Sequence, residues 1–126
     1  MTFPHRLALV AVLAAWLAPA PLASEPESPL ARAARTAGLR PMALRPALEA
    51  HARASAAGLT TSSLLTVIDY SLSSRIRRLW VLDLQAGRVL ARELVAHGRN
   101  SGEDLARRFS NRAESLQSSL GPFLTG

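Results

Sequence analysis

The pattern of apolar and polar positions changes character near residue 64. Before it, apolar residues recur at helical spacing, and after it, short runs of branched and aromatic residues are separated by turns. Residues 65–70 (LTVIDY) and 79–84 (LWVLDL) each have the composition and length of a β-strand. Residues 89–96 return as a third strand, and Gly87 suits the left-handed position of the tight connection that precedes it. Apolar residues on both faces of these strands favour packed sheets, so we predict a mainly β fold with amino-terminal helices, an incomplete sandwich or barrel.

Two short helices are predicted ahead of the strands. The first spans residues 29–37, because Ser28 is a good N-cap, proline suits the first helical position and glycine ends the helix. The second spans residues 44–57. Pro41 and Pro46 are expected to limit how early it begins, since a proline beyond the first turn removes a backbone hydrogen bond.

Residues 1–23 have the three parts of a secretory signal peptide. A short, positively charged start precedes an apolar run at residues 7–17, and a small, proline-containing stretch follows. The apolar run is too short for a hydrocarbon core of ~30 Å, which needs about twenty residues. We expect cleavage after Ala23 or Ser24, with an uncleaved anchor as the alternative. The expected location is outside the cytoplasm, in the periplasm or cell envelope, without a stable membrane anchor after cleavage.

The domain organisation follows from these segments. The signal peptide is followed by a linker and helical lead-in at residues 24–57 and by a β-rich domain at residues 58–126. Residues 123–125 have the composition of the first residues of another strand. Because a strand without a neighbour leaves backbone groups unpaired, we expect the β-rich domain to be only the amino-terminal part of a longer domain.

Composition narrows the possible functions. All 15 basic residues are arginine, and the formal net charge is +6. No basic run or aromatic platform accompanies this charge, so nucleic-acid binding is not expected. The chain contains no cysteine, which excludes disulfides, thiolate metal sites, a lipid-modified amino-terminal cysteine and a cysteine nucleophile within these residues.

The histidines and serines form no recognisable catalytic or metal-binding pattern. No Gly-x-Ser-x-Gly elbow is present, and the three histidines are too far apart in sequence for a metal motif, so neither a metal nor a cofactor is expected. His51 is interpreted as a partly exposed residue of the second helix. The candidate site is the loop after the third strand, where His97, Gly98 and Ser101 are predicted to bind substrate, with a purely structural role for His97 as the alternative.

Several segments in this order resemble the murein L,D-transpeptidase catalytic-domain family. They are LTVIDYSL (65–72), RLWVLDL (78–84), GRVL (87–90), VAHG (95–98), NSG (100–102), FSN (109–111) and SSLGPFLTG (118–126). The resemblance implies a mainly β domain that acts on peptidoglycan stem peptides.

In that family a cysteine thiolate, activated by a histidine, attacks an L,D peptide bond and forms an acyl-enzyme, which an amine of a second stem then resolves. These residues lie in a carboxy-terminal histidine-glycine and Ser-x-Gly-Cys motif, which this chain does not contain. No catalytic residue is therefore assigned within the chain, which we expect to be inactive alone. The alternative is a non-catalytic envelope module that binds murein or a protein partner, with arginines facing the carboxylates of the stem peptides. The oligomeric state is left open.

Overall fold

A computed structural model describes residues 24–125 of the chain. It contains two helices followed by three strands: α1 (Pro29–Thr36), α2 (Pro41–Ala56), β1 (Leu64–Ile68), β2 (Leu79–Asp83) and β3 (Arg88–Glu93). The predicted signal peptide lies outside the described residues. Among the residues described, no helix is both long and apolar enough to cross a membrane.

Helix α1 begins at Pro29, as predicted from the N-cap residue Ser28. The Ser28 hydroxyl accepts a hydrogen bond from the backbone N–H of Ala31 at 3.1 Å, and proline occupies the first turn. The helix ends at the glycine that the sequence indicated, since Gly38 has a φ of +83°, a conformation that glycine adopts without a Cβ clash. Local sequence therefore determines both ends of α1.

Helix α2 begins three residues earlier than predicted, at Pro41 rather than residue 44. Proline is tolerated at the first helical position because that N–H has no partner within the helix. Pro46 lies inside the helix, so the expectation that it would delay the start was wrong. The buried side chain of Leu44 packs in the core and holds this turn of the helix against the rest of the domain.

The strands form one open, antiparallel sheet in the order β1-β2-β3. Strand β3 ends at Glu93, three residues before the predicted end, and the register between β2 and β3 shifts at Val81 and Leu82. The predicted class, β-structure preceded by helices and not closed into a barrel, is confirmed. Within residues 24–125 no second sheet is present, and the helices pack on the sheet instead.

The core lies between the helices and one face of the sheet. Its six buried apolar residues are Ala34, Leu39, Leu44, Val67, Trp80 and Leu82. The central strand β2 contributes the largest of these, Trp80, which is fully buried. The Trp80 indole N–H donates to the carbonyl of Ala37 at 2.8 Å, so one side chain ties the end of α1 to the middle of the sheet.

The turn between β2 and β3 confirms the predicted role of its glycine. Gly87 has a φ of +67°, and its N–H donates to the carbonyl of Asp83 at 2.9 Å. The Asp83 carboxylate accepts from the backbone N–H groups of Gln85 and Ala86 at 3.0 and 2.9 Å. The carboxylate at the end of β2 therefore satisfies the backbone N–H groups of the turn that follows.

Residues 94–125 contain no helix and no strand. The segment predicted to begin another strand, residues 123–125, is not paired in a sheet, and Phe123 and Leu124 are exposed. The loops of this region are instead held to one another, and to β2, by the polar residues described next.

Candidate functional site

His97 lies four residues beyond the end of β3, and both of its ring nitrogens are used within the protein. The Nδ1 atom is 2.9 Å from Nη2 of Arg78, and the Nε2 atom is 3.0 Å from the carbonyl oxygen of Gly102. A guanidinium group donates only, so Nδ1 must accept and Nε2 must carry the hydrogen that the carbonyl receives. The ring is thereby fixed in one tautomer, and it closes the loop from residue 97 to residue 102.

Arg78 is the buried centre of this region. It begins the segment that leads into β2, and its side chain is fully buried. Besides His97, its guanidinium donates to the carbonyl of Leu72 at 2.8 Å and to that of Val95 at 2.9 and 3.2 Å. The group also lies 5.1 Å from the centre of the Tyr70 ring, at cation–π distance. Burial lowers the pKa of Arg78, but an arginine stays charged in proteins.

Ser101 is also fully buried, and each of its polar groups has a partner. Its hydroxyl accepts from the backbone N–H of Ser118 at 2.8 Å, and its own N–H donates to the carbonyl of Gly98 at 2.9 Å. Its carbonyl accepts from the N–H groups of Arg107 and Arg108 at 2.8 and 3.0 Å. Ser101 therefore joins the loops around residues 98, 107 and 118.

Gly98 is required because the backbone of another loop passes directly over it. A Cβ atom at this position would lie 2.5 Å from the carbonyl oxygen of Leu116 and 2.8 Å from the nitrogen of Ser118. The Gly98 N–H donates to the hydroxyl of Ser118 at 2.8 Å. Gly102 is constrained in a second way, because it has a φ of +143° and a Cβ atom there would clash with the carbonyl oxygen of Leu105.

The structure thus brings together the three residues predicted to bind substrate, His97, Gly98 and Ser101. Their hydrogen-bonding groups face one another and the neighbouring loops, so they fix the shape of the loop. Substrate binding at these residues stays a prediction.

Sequence reasoning did not identify Arg78 as part of this site. The only local signal was an arginine placed immediately before an apolar strand, in the run Arg77-Arg78-Leu79. A charged residue in that position usually marks a solvated strand end, and nothing in the run distinguishes Arg78 from its exposed neighbour Arg77.

A buried carboxylate, that of Asp69, lies near this region. Asp69 accepts from Nε and Nη2 of Arg40 at 3.0 and 2.7 Å, and from the hydroxyl and N–H of Ser71 at 2.6 and 3.1 Å. Burial alone would raise the pKa of Asp69, but the hydrogen bonds from Ser71 and Arg40 outweigh it, so the pKa is lowered. This group connects the start of α2 to the end of β1 and has the character of a structural ion pair.

His51, the other histidine among residues 24–125, lies in α2 and contacts the backbone of a neighbouring segment. Nε2 of His51 lies 2.8 Å from the carbonyl oxygen of Ser62, which ties α2 to the segment before β1. Within residues 24–125, no group of three histidine or carboxylate side chains is arranged to hold a metal ion.

The chain was compared with known proteins at the level of families, individual proteins and solved structures. A family model described as the L,D-transpeptidase catalytic domain matches residues 35–126. The matched region includes α2, all three strands and the loops around His97. Neither the search of curated proteins nor that of solved structures gave a match.

Proposed function

Because the chain belongs to the L,D-transpeptidase catalytic-domain family, we propose that it acts on peptidoglycan as part of an exported acyl-transfer enzyme. The observation that carries this proposal is the extent of the match, which covers residues 35–126 and therefore most of the folded region. The resemblance noted in the sequence is confirmed at the level of the family. The proposed substrates are the stem peptides of peptidoglycan.

The proposed reaction proceeds through a thioester. A cysteine thiolate attacks the carbonyl carbon of an L,D peptide bond, the amine of the departing residue takes up a proton, and an acyl-enzyme remains. The amine of a second stem then attacks the thioester, which forms a new peptide bond and releases the thiol.

The described residues are proposed to supply the frame of this enzyme and part of its peptide-binding face. The 126 residues contain no cysteine, so the thiol of the proposed reaction is not among them. His97 is not proposed as its base, because both ring nitrogens already take part in hydrogen bonds with Arg78 and Gly102. We therefore propose that these 126 residues alone form no acyl-enzyme.

The absence of cysteine favours a second candidate function, that of an envelope module which binds peptidoglycan or a protein partner without catalysis. The coding frame distinguishes the two candidates. A frame that continues to a Ser-x-Gly-Cys element supports the enzyme, whereas a stop codon directly after Gly126 supports the binding module.

Sedimentation with purified murein sacculi tests the shared part of both proposals. The chain without residues 1–23 is expected to sediment with sacculi and to be released when the sacculi are digested to soluble fragments. A control protein of similar size and the same net charge is expected to stay in solution. Equal sedimentation of the two proteins would contradict peptidoglycan binding.

Export is tested separately with a reporter. Fusing residues 1–30 to an alkaline phosphatase that lacks its own signal is expected to give activity, because that enzyme needs the oxidising environment outside the cytoplasm. Leu13→Arg, in the centre of the apolar run, is the matched control and is expected to abolish the activity. An active Leu13→Arg fusion would contradict the proposed signal peptide.

A further inference from the structure

The outer side of the loop that contains His97 borders a surface cavity of about 480 Å³. Its charged lining consists of Arg99, Glu103, Asp104, Arg107 and Arg108. These five residues are all exposed, unlike the buried Arg78 and Ser101, so the cavity is a separate feature of the same loop region.

The balance of charge in this cavity is positive. The carboxylate of Asp104 is bound by Arg75 from outside the cavity at 3.0 Å. The other acidic residue that lines the cavity, Glu103, forms no ion pair with any of residues 24–125. Three arginines line the cavity together with this one carboxylate. An anionic group entering the cavity would therefore meet an excess of guanidinium charge.

Two of these guanidinium groups have no internal partner. Within the part of the chain that the structure describes, the side chains of Arg99 and Arg107 take part in no ion pair and no hydrogen bond. Arg108 uses only Nε, which donates to the carbonyl of Asn100 at 3.0 Å, so its terminal nitrogens remain available. The cavity is thus lined by guanidinium groups with unused donors, and each guanidinium fork can bind a carboxylate in a bidentate manner.

The backbone that carries these arginines is fixed from inside. The N–H groups of Arg107 and Arg108 both donate to the carbonyl of the buried Ser101, at 2.8 and 3.0 Å. Arg99 is held between Gly98 and Asn100, whose N–H donates to the carbonyl of Leu116 at 2.9 Å. Because the backbone is already ordered, a ligand needs to order only the side chains, which reduces the entropic cost of binding.

We propose that this cavity binds the carboxylates of a short acidic peptide through Arg99 and Arg107, with Arg108 completing the site. A short carboxylate-bearing peptide fits better than a larger anionic polymer, because all three arginines line one cavity of about 480 Å³. That the peptide is a peptidoglycan stem rests on the proposed function, whereas the preference for carboxylates rests on the arginines alone.

Direct titration followed by heteronuclear NMR tests the proposal on the chain without residues 1–23. The probes are a synthetic stem tetrapeptide with free carboxylates, the same peptide with its carboxylates amidated, and an unrelated acidic peptide of equal charge. The free stem peptide is expected to bind saturably, to shift the signals of residues 99–108, and to bind more weakly as salt is added. The amidated peptide is expected to lose this binding.

Charge-matched variants assign the binding to the cavity. The double variant Arg99→Gln/Arg107→Gln is expected to raise the Kd by roughly three- to tenfold, the effect of losing two solvent-accessible ion pairs. Glu103→Gln is expected to lower the Kd. The control Arg45→Gln/Arg88→Gln removes the same charge from exposed positions outside the cavity and is expected to leave the Kd unchanged.

Three results would overturn the proposal: no saturable binding of the free peptide, equal binding of the amidated peptide, or equal weakening by the control pair. Equal binding of the unrelated acidic peptide would support a carboxylate site and argue against the stem peptide as its specific ligand. Failure of the proposed function has a different signature, which is the absence of sedimentation with sacculi even when free carboxylates bind. A near-UV circular dichroism spectrum from the packed Trp80 verifies that each variant is folded.

Discussion

Replacing Arg78 with methionine tests whether this buried residue organises the loops around His97. Methionine keeps an unbranched apolar side chain but leaves the carbonyls of Leu72 and Val95 and the Nδ1 atom of His97 without their donor. An unsatisfied buried acceptor costs about 1–3 kcal/mol, and the residues that carry these acceptors are only partly buried, so the lower value applies to each. The substitution also removes the cost of burying a guanidinium that has no carboxylate in direct contact. We expect a net loss of about 2–3 kcal/mol in the free energy of unfolding.

The assay is urea denaturation monitored by far-UV circular dichroism. The m-values of the variants are compared to verify that their folded and unfolded states remain similar. Arg77→Met is the matched control, since Arg77 is the exposed neighbour in the same run, and it is expected to change stability by less than ~0.5 kcal/mol. Arg78→Lys keeps the charge but replaces the planar guanidinium with a compact ammonium group, and its loss in free energy of unfolding is expected to lie between those of the other two variants. A loss for Arg78→Met no larger than that for Arg77→Met would refute the assignment of Arg78 as the centre of the site.

Three further predictions concern the same region. Gly98→Ala is expected to lower the free energy of unfolding by about 3 kcal/mol, because the added Cβ meets backbone atoms. Gly58→Ala, whose Cβ would lie in open space at a φ of +71°, is expected to lower it by only about 1 kcal/mol. Equal losses of the two variants in urea denaturation would contradict the close approach at Gly98. Because the folded-state pKa of Asp69 is lowered, its contribution to stability is present above its unfolded pKa of about 3.9 and is lost as the pH falls through the folded value. Asp69→Asn is therefore expected to flatten the fall in unfolding free energy as the pH is lowered from about 5 through the folded-state pKa, and an unchanged slope would be the contrary result. Nitrogen NMR of labelled His97 at neutral pH is expected to show the hydrogen on Nε2, and a hydrogen on Nδ1 would contradict its hydrogen bond with Arg78.

Features decided by neighbouring residues could be predicted from the sequence. The cap at Ser28 and the turn glycine Gly87 both depend on a few adjacent residues, and both are found as predicted. The three strands were located because runs of branched and aromatic residues resist helix formation and favour a pleated surface. The early start of α2 could not be predicted from the local effect of Pro41 and Pro46 on the backbone, because packing of Leu44 in the core stabilises the first turns of the helix.

Features decided by contacts between distant segments could not be predicted. Arg78 and His97 are separated by 19 positions, and nothing in either local sequence indicates that one donates to the other. The indole hydrogen bond from Trp80 to Ala37 crosses 43 positions and links two elements whose own patterns specify only a strand and a helix end. The candidate loop was located because glycine and histidine follow a strand, but the inward direction of its polar groups follows only from the packing of the loops.

We propose that these 126 residues form the frame of an L,D-transpeptidase domain without its thiol chemistry. Mass spectrometry tests it most directly, on the chain incubated with purified stem tetrapeptides and an acceptor stem. We predict an unmodified protein mass and no new L,D linkage, because no residue among the 126 supplies a thiolate. An acylated protein or a newly formed L,D linkage would contradict the claim and would require a nucleophile within the chain.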